Sequence, residues 1–223
     1  MNEAPNTKVL VGCETSGVVR QAFLDLGFDA WSCDILPSDQ PSNRHIQDDV
    51  RNVLKMDSWD LVFIGHPPCT RLCNSGVRWL HTPPPNKTHK QMWRELEEGC
   101  QLFSDLWNYS TPCLAIENPV MHRHAKLRIK NFEKHSQSVQ PWEFATSDDS
   151  PDNVKKRTCF WLRNLPTLEK TGTVDGSTAR SEVHNAPPSK DRWKIRSKFY
   201  PELAAAMAAQ WGLSAILNRR QAA

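Results

Sequence analysis

The chain has 223 residues, enough for one well-buried domain and a small appendage, and its formal net charge of +3 permits a polyanionic partner without demanding one. Its cysteines, at positions 13, 33, 69, 73, 100, 113 and 159, form neither a C-x-x-C pair nor an even, tight framework, which argues for thiols in a reducing cytoplasm. No apolar stretch approaches membrane-spanning length and no basic-then-apolar leader opens the sequence, so no membrane partner is expected and the expected location is cytoplasmic.

In chain order, Lys8 to Cys13 is a compact apolar run that breaks at Glu14-Thr15-Ser16-Gly17. Val18, Val19, Ala22, Phe23 and Leu26 then recur at helical spacing until Gly27. Phe28 to Cys33 reads as a second strand ending at Asp34, and a polar stretch containing Asp48-Asp49-Val50 precedes a further strand, Asp60 to Gly65. This order predicts an α/β fold, a Rossmann-like sheet with helices on both faces. Residues 70–89 are polar, basic (Arg71, Arg78, His81, Lys87) and proline-containing, with the length of a mobile functional loop. Met92, Trp93, Leu96, Phe103, Leu106 and Trp107 mark an amphipathic helix from Lys90 to Tyr109. Cys113 to Ile116 is a short buried strand that ends in Glu117-Asn118-Pro119, and Thr158 to Leu162 is another, after Lys155-Lys156-Arg157. Residues 163–196 show no sustained periodicity, and a last helix runs from Pro201, a good first-turn residue, to a stop at Gly212.

Pro67-Pro68-Cys69 carries the chemistry. Two prolines stiffen the turn directly after a buried strand and present Cys69 at its carboxyl end, where open α/β sheets bind and react. A thiol there reads as a nucleophile; a buried structural cysteine is the bland counterpart, and the fragment alone leaves the two comparable. His66, Cys69 and Cys73 match no common zinc spacing, so no metal is expected. Glu117 ends another strand of the same sheet and suggests a division of labour in which a thiolate adds to an electrophilic carbon while a carboxyl donates a proton. Its alternative is a capping or salt-bridged carboxylate. The turn at 14–17 lacks both the G-x-G-x-x-G pattern and a Walker lysine. Asp34 suits the ribose of an adenosine-containing cofactor and is equally well read as a solvated turn residue.

Gly65-His66-Pro67-Pro68-Cys69, Glu117-Asn118-Pro119 and Lys155-Lys156-Arg157-Thr158-Cys159, in that order, resemble the motifs of DNA cytosine-5 methyltransferases. Ser16-Gly17, Asp34 and Asp49-Val50 match the same family's cofactor motifs, and the likeness covers most of residues 8–162 and resumes loosely at 201–212. The resemblance implies an S-adenosylmethionine-dependent methyltransferase sheet. Cys69 would attack ring carbon 6, Glu117 would protonate ring nitrogen 3, and Arg157 would contact the cytosine carbonyl oxygen or the adjacent backbone. S-adenosyl-L-methionine is the implied cofactor: the turn Glu14, Thr15, Ser16, Gly17 holds its methionine moiety, Asp34 its ribose and Asp49 its adenine amino group, with Ile35, Val50 and Pro67 also lining that site. Pro68, Asn118, Arg71 and Lys155 are the implied substrate contacts. The implied partner is DNA, a duplex with its target cytosine flipped out and its phosphates held by basic residues of the segment after Cys69.

The resemblance also implies an organisation: 1–162 as the catalytic and cofactor-binding domain, 163–196 as a reduced target-recognition segment, and 197–223 as a C-terminal helix packing back on the first. Short members of this kind look like those carried by phages and prophages. The family's Gln-x-Arg-x-Arg is here Lys155-Lys156-Arg157-Thr158-Cys159, and its Gly-Asn-x-Val-Pro is Ser197-Lys198-Phe199-Tyr200-Pro201. Thirty-odd residues are few for reading a multi-base site, which points to a short or relaxed sequence preference. Rival readings are the same chemistry on a cytosine nucleotide, single-stranded DNA or RNA, and a catalytically silent relative that binds DNA or cofactor.

Overall fold

The computed structural model describes residues 4–185, 197 and 199–222. Seven strands form one sheet in the order β3-β2-β1-β4-β5-β7-β6. They are β1 (Lys8–Gly12), β2 (Asp29–Asp34), β3 (His45–Gln47), β4 (Leu61–Ile64), β5 (Cys113–Asn118), β6 (Gln137–Val139) and β7 (Thr158–Arg163). β1 to β5 run parallel, while β7 pairs antiparallel with β5 and β6 antiparallel with β7. The chain steps outward from β1 to β3, then returns to the other side of β1 at β4. That reversal opens a crevice at the carboxyl ends of β1 and β4, where doubly wound sheets bind their ligands.

Parallel strands covered on both faces are apolar throughout, and Leu61, Val62, Phe63 and Ile64 are all buried. One face carries α1 (Val18–Asp25) and the C-terminal helix (Pro201–Ala222), whose Phe23, Leu203, Met207 and Trp211 pack with Val9, Val11, Phe63, Ala115 and Phe160. The other carries α4 (His89–Trp107), whose Met92, Leu96 and Phe103 pack with Leu10, Val62, Ile64, Leu114 and Ile116. α4 starts at a reciprocal cap: Thr88 Oγ1 accepts from the Gln91 N–H, and Gln91 Oε1 accepts from the Thr88 N–H. Short helices α2 (Val50–Val53), α3 (Arg78–His81), α5 (Arg123–Lys126) and α6 (Glu182–Asn185) are also present among the described residues, and the C-terminal helix is numbered α7.

Three expectations are corrected. Gly212 does not stop the last helix, which continues to Ala222; a Cβ there would lie 2.5 Å from the Phe28 ring, so the glycine serves close packing of α7 rather than termination. Residues 70–89 are not a plain loop: a 3-10 turn at Asn74–Gly76 and α3 bury Leu72 and Leu80. Glu117 and Asn118 lie inside β5 rather than beyond it. Of the proposed recognition segment, 186–196 fall outside the described residues, as does Lys198. The rest is fastened to the domain, with the Gly172 and Thr173 N–H groups donating to Glu143 O and Ala145 O, and the Lys155 N–H donating to Arg180 O.

Candidate active site

Strand pairing brings the cysteine turn and the glutamate together. β4 and β5 are neighbours in register, Ile64 opposite Ile116, so Gly65 leaves its strand level with Glu117. A second fastening follows. Cys73 and Met121 form an antiparallel bridge, with the Asn74 N–H donating to Val120 O and the His122 N–H donating to Leu72 O. The segments after Cys69 and after Asn118 are thereby held side by side. Pro67 is buried, Pro68 exposed and Cys69 half-buried, and the Cys69 carbonyl accepts from the Leu72 and Cys73 N–H groups.

The two-residue period of β5 separates its last two side chains. Glu117 shares the α7 face with Cys113 and Ala115; Asn118 shares the α4 face with Leu114 and Ile116. Glu117 is 5% exposed, and His66 Nδ1 lies 3.8 Å from its Oε2, an ion-pair distance too long for a hydrogen bond. The His66 ring packs against Phe199 at 5.4 Å, and Lys156 Nζ stands 5.6 Å over the Tyr200 ring. Burial pushes the His66 pKa below the ordinary histidine range, more than Glu117 raises it, and Lys156 lowers it further. The imidazole is therefore neutral near pH 7 and supplies no positive charge to stabilise a thiolate. Its Nε2 is buried without a hydrogen-bond partner, as are both amide atoms of the fully buried Asn118, among the described residues.

The cofactor-type residues are wired differently. Glu14 caps α1 from within the core: Oε1 accepts from the Val19 N–H and Ser16 Oγ, and Oε2 accepts from the Arg20 N–H. Burial raises its pKa against the pull of those donors. Gly17 turns at φ +71°, and any Cβ would strike the Arg20 guanidinium at 2.4 Å. Thr15 is tied to Asp39 through its hydroxyl and its carbonyl. Asp34 Oδ1 accepts from the Leu36 N–H, while its Oδ2 accepts no hydrogen bond among the described residues, and the adjacent Ile35 is 70% exposed. Asp49 caps α2 and pairs with Arg51 (Nη2 to Oδ2, 2.6 Å), whose guanidinium holds its carboxyl below the usual range. Val50 is buried against Gly12.

The remaining substrate-type residues are scattered. Arg71 Nε donates to Glu95 Oε2 at 2.7 Å, and Lys87 pairs with the same carboxylate. Lys155 is exposed, and Arg157 Nε donates to Ser138 Oγ at 3.0 Å, on the Asn118 side of the sheet, since Ser138 is paired with Cys159 and Cys159 with Asn118. Lys156, the middle residue of that basic triplet, is the cation on the Glu117 face. Sequence reasoning missed it because no motif distinguishes it from its neighbours; alternation counted back from Phe160, the partner of Glu117, would have found it. A cleft of about 900 Å³ opens between Pro68, Thr70, Arg71, Arg51 and α4, and another of about 660 Å³ lies between Ser16, Gly17, Arg20 and α7. Cys69 sits between two rim residues of the first.

No family model and no curated protein matches the chain. Among solved structures it is similar to one described as a candidate DNA modification methyltransferase encoded within an E. coli prophage, at 16% identity and a TM-score of 0.39, covering 70% of this chain and 46% of that one. The chain thus spans less than half the length of that protein. A likeness so remote says nothing of the chemistry.

Proposed function

We propose that the protein is an S-adenosylmethionine-dependent DNA methyltransferase acting on cytosine carbon 5 through a covalent adduct at Cys69. One observation carries the reading: strand pairing and the bridge between 73 and 121 hold the segment of the half-buried Cys69 alongside the segment that follows the buried Glu117. In this reading the Cys69 thiolate bonds to ring carbon 6, and a proton from Glu117 goes to ring nitrogen 3, leaving the electron pair at carbon 5. S-adenosyl-L-methionine supplies the methyl group that carbon 5 takes up. A water molecule in the cleft takes the carbon 5 proton, the freed electron pair re-forms the 5,6 double bond and expels the thiolate, and ring nitrogen 3 returns its proton to Glu117, which restores the aromatic ring. Neutral His66 lies beside Glu117, and Lys156 acts on His66 from over the Tyr200 ring; a cation near the base would steady charge that develops on the ring. In this reading Asn118 and Arg157, on the other face, contact the base or its backbone.

The cofactor site is supported by its donor set. Asp34 has a carboxylate oxygen to spare for ribose hydroxyls, and the exposed Ile35 beside it offers apolar surface to an adenine ring. Thr15, Ser16 and Gly17 edge the second cleft, and Asp49 reaches an adenine amino group by sharing its carboxylate with Arg51. The catalytic test is trapping on a duplex oligonucleotide with 5-fluorocytosine at the target: the native protein forms an adduct stable to denaturation, and Cys69→Ala does not. An adduct that persists in Cys69→Ala overturns the assignment. Tritiated cofactor offered with duplex, single strand or dCMP tests the substrate, and label in dCMP alone refutes DNA methylation.

A further inference from the structure

Two basic stretches flank the site, with different surroundings. The one after Cys69 is partly neutralised: Arg71 and Lys87 converge on Glu95, while the exposed Arg78 stands over the Trp79 ring. The other, between His122 and His135, is less so. That stretch holds five Lys or Arg residues against the single acid Glu133, and only Arg128 of the five finds a carboxylate, Glu97. Arg123, Lys126 and Lys134 are exposed and form no ion pair among the described residues. Their positions are fixed from beneath. α5 follows β5 directly, with Ala125 and Ile129 in the core, and Trp161 Nε1 donates to Glu133 O while the His135 ring packs on Trp161 at 5.6 Å. β6 then returns along β7 and delivers Ser138 to Arg157. Burial first, and then Lys134, Arg157 and Lys126, push the His135 pKa below its ordinary range, as expected where these three cations surround one imidazole.

We propose that Arg123, Lys126, Lys134 and Arg157 form the track for the phosphodiester backbone of duplex DNA. The inference rests on the DNA reading above and moves the phosphate contacts away from residues 70–89, where the sequence suggests them. Cations already paired with a carboxylate release little counterion on meeting a phosphate, whereas unpaired ones release close to a full equivalent each, so the second group dominates the salt dependence. Arg157 borders the Asn118 edge of the site, and with Lys126 and Lys134 it faces the His135 ring, so these cations share one stretch of surface.

The test compares two doubly neutralised variants of equal charge, Lys126→Gln/Lys134→Gln and Lys8→Gln/Lys55→Gln, the latter pair lying toward the amino ends of the strands. Binding of a fluorescein-labelled duplex is followed by anisotropy over a salt series, and thermal melting checks that both variants fold. The first double is expected to lower the log–log salt slope by about 2 and to weaken binding roughly 50-fold near 0.1 M salt, from ~0.9 counterion per contact; the second changes neither. Lys126→Arg/Lys134→Arg should retain the native slope. Equal losses in both Gln doubles, or a native slope in the first, overturn the track while leaving the trapping result at Cys69 intact. Failure of the native protein to bind duplex overturns the track and the DNA reading together.

Discussion

The turn that follows β1 and the ends of β4 and β5 border the same crevice, yet they treat their polar groups in opposite ways. Around β1 nearly every buried donor and acceptor is spent on the fold. Glu14 caps α1 with both oxygens, Thr15 holds Asp39, and Asp49 holds Arg51; the Arg20 Nε is the exception, while its Nη1 donates to Ser32 Oγ at 2.7 Å. At the ends of β4 and β5, His66 Nε2 and both amide atoms of Asn118 are buried without partners. Each such group costs about 1–3 kcal/mol. Native proteins retain them where a ligand or an ordered water completes the set. The β1 side is a finished scaffold that presents a few surfaces, Asp34 and Ile35 among them. The β4–β5 side holds three buried polar atoms without partners among the described residues, a set that an ordered water or, in the proposed reading, a polar planar group would complete.

The sharpest way to break this contrast is at Glu117. Glu117→Gln keeps the shape and removes the proton, so single-turnover methyl transfer should fall by roughly 10²–10⁴ with unchanged melting temperature. An unchanged rate would reduce Glu117 to a buried structural carboxyl. Asn118 gives the next largest effect. If its amide waits for substrate, Asn118→Leu removes two unpaired groups from the core, and urea melts should show equal or greater stability. Methyl transfer should nevertheless drop roughly tenfold to a hundredfold, the worth of one or two lost hydrogen bonds. A stability loss above about 1 kcal/mol would mean that the amide serves the fold, through buried water, and the contrast between the two sides would vanish.

The sequence is informative wherever one local signal decides the outcome. Apolar runs mark β1, β2, β4, β5 and β7, and the Met92 to Trp107 spacing marks α4, because burial on both faces or on one stripe leaves a pattern in the residues themselves. β3, β6, α2 and α5 span three or four residues each and are held by neighbouring strands and caps, so no period announces them. Gly212 misleads for a similar reason: a glycine demanded by close packing against Phe28 reads the same as a helix stop. That Gly65 and Glu117 stand level at adjacent strand ends follows from strand order, which the doubly wound pattern does predict. What no motif reveals is which cations are already paired. Arg71 and Lys87 read as phosphate ligands until Glu95, on the next helix, is placed between them.

The smallest effect lies on the finished side, at Asp49. Its carboxylate both caps α2 and pairs with Arg51, and Asn caps a helix about as well as Asp, so Asp49→Asn removes the ion pair and keeps the cap. With the carboxyl one-third exposed, the expected loss near neutral pH is only about 0.2–1 kcal/mol. The sign with pH is fixed. Arg51 depresses the folded pKa of Asp49, so its stabilisation is full above the unfolded value of about 3.9 and disappears as pH falls through the lower folded value. Urea melts of the native protein and of Asp49→Asn should therefore differ at neutral pH and converge in acid. A gap that persists below that window would mean that the residue acts through packing rather than charge. Arg51→Gln completes the comparison: if Asp49 must share its carboxylate to hold an adenine amino group, freeing it from Arg51 should tighten S-adenosyl-L-methionine in calorimetry. A weaker complex would show instead that Arg51 itself belongs to the cofactor site.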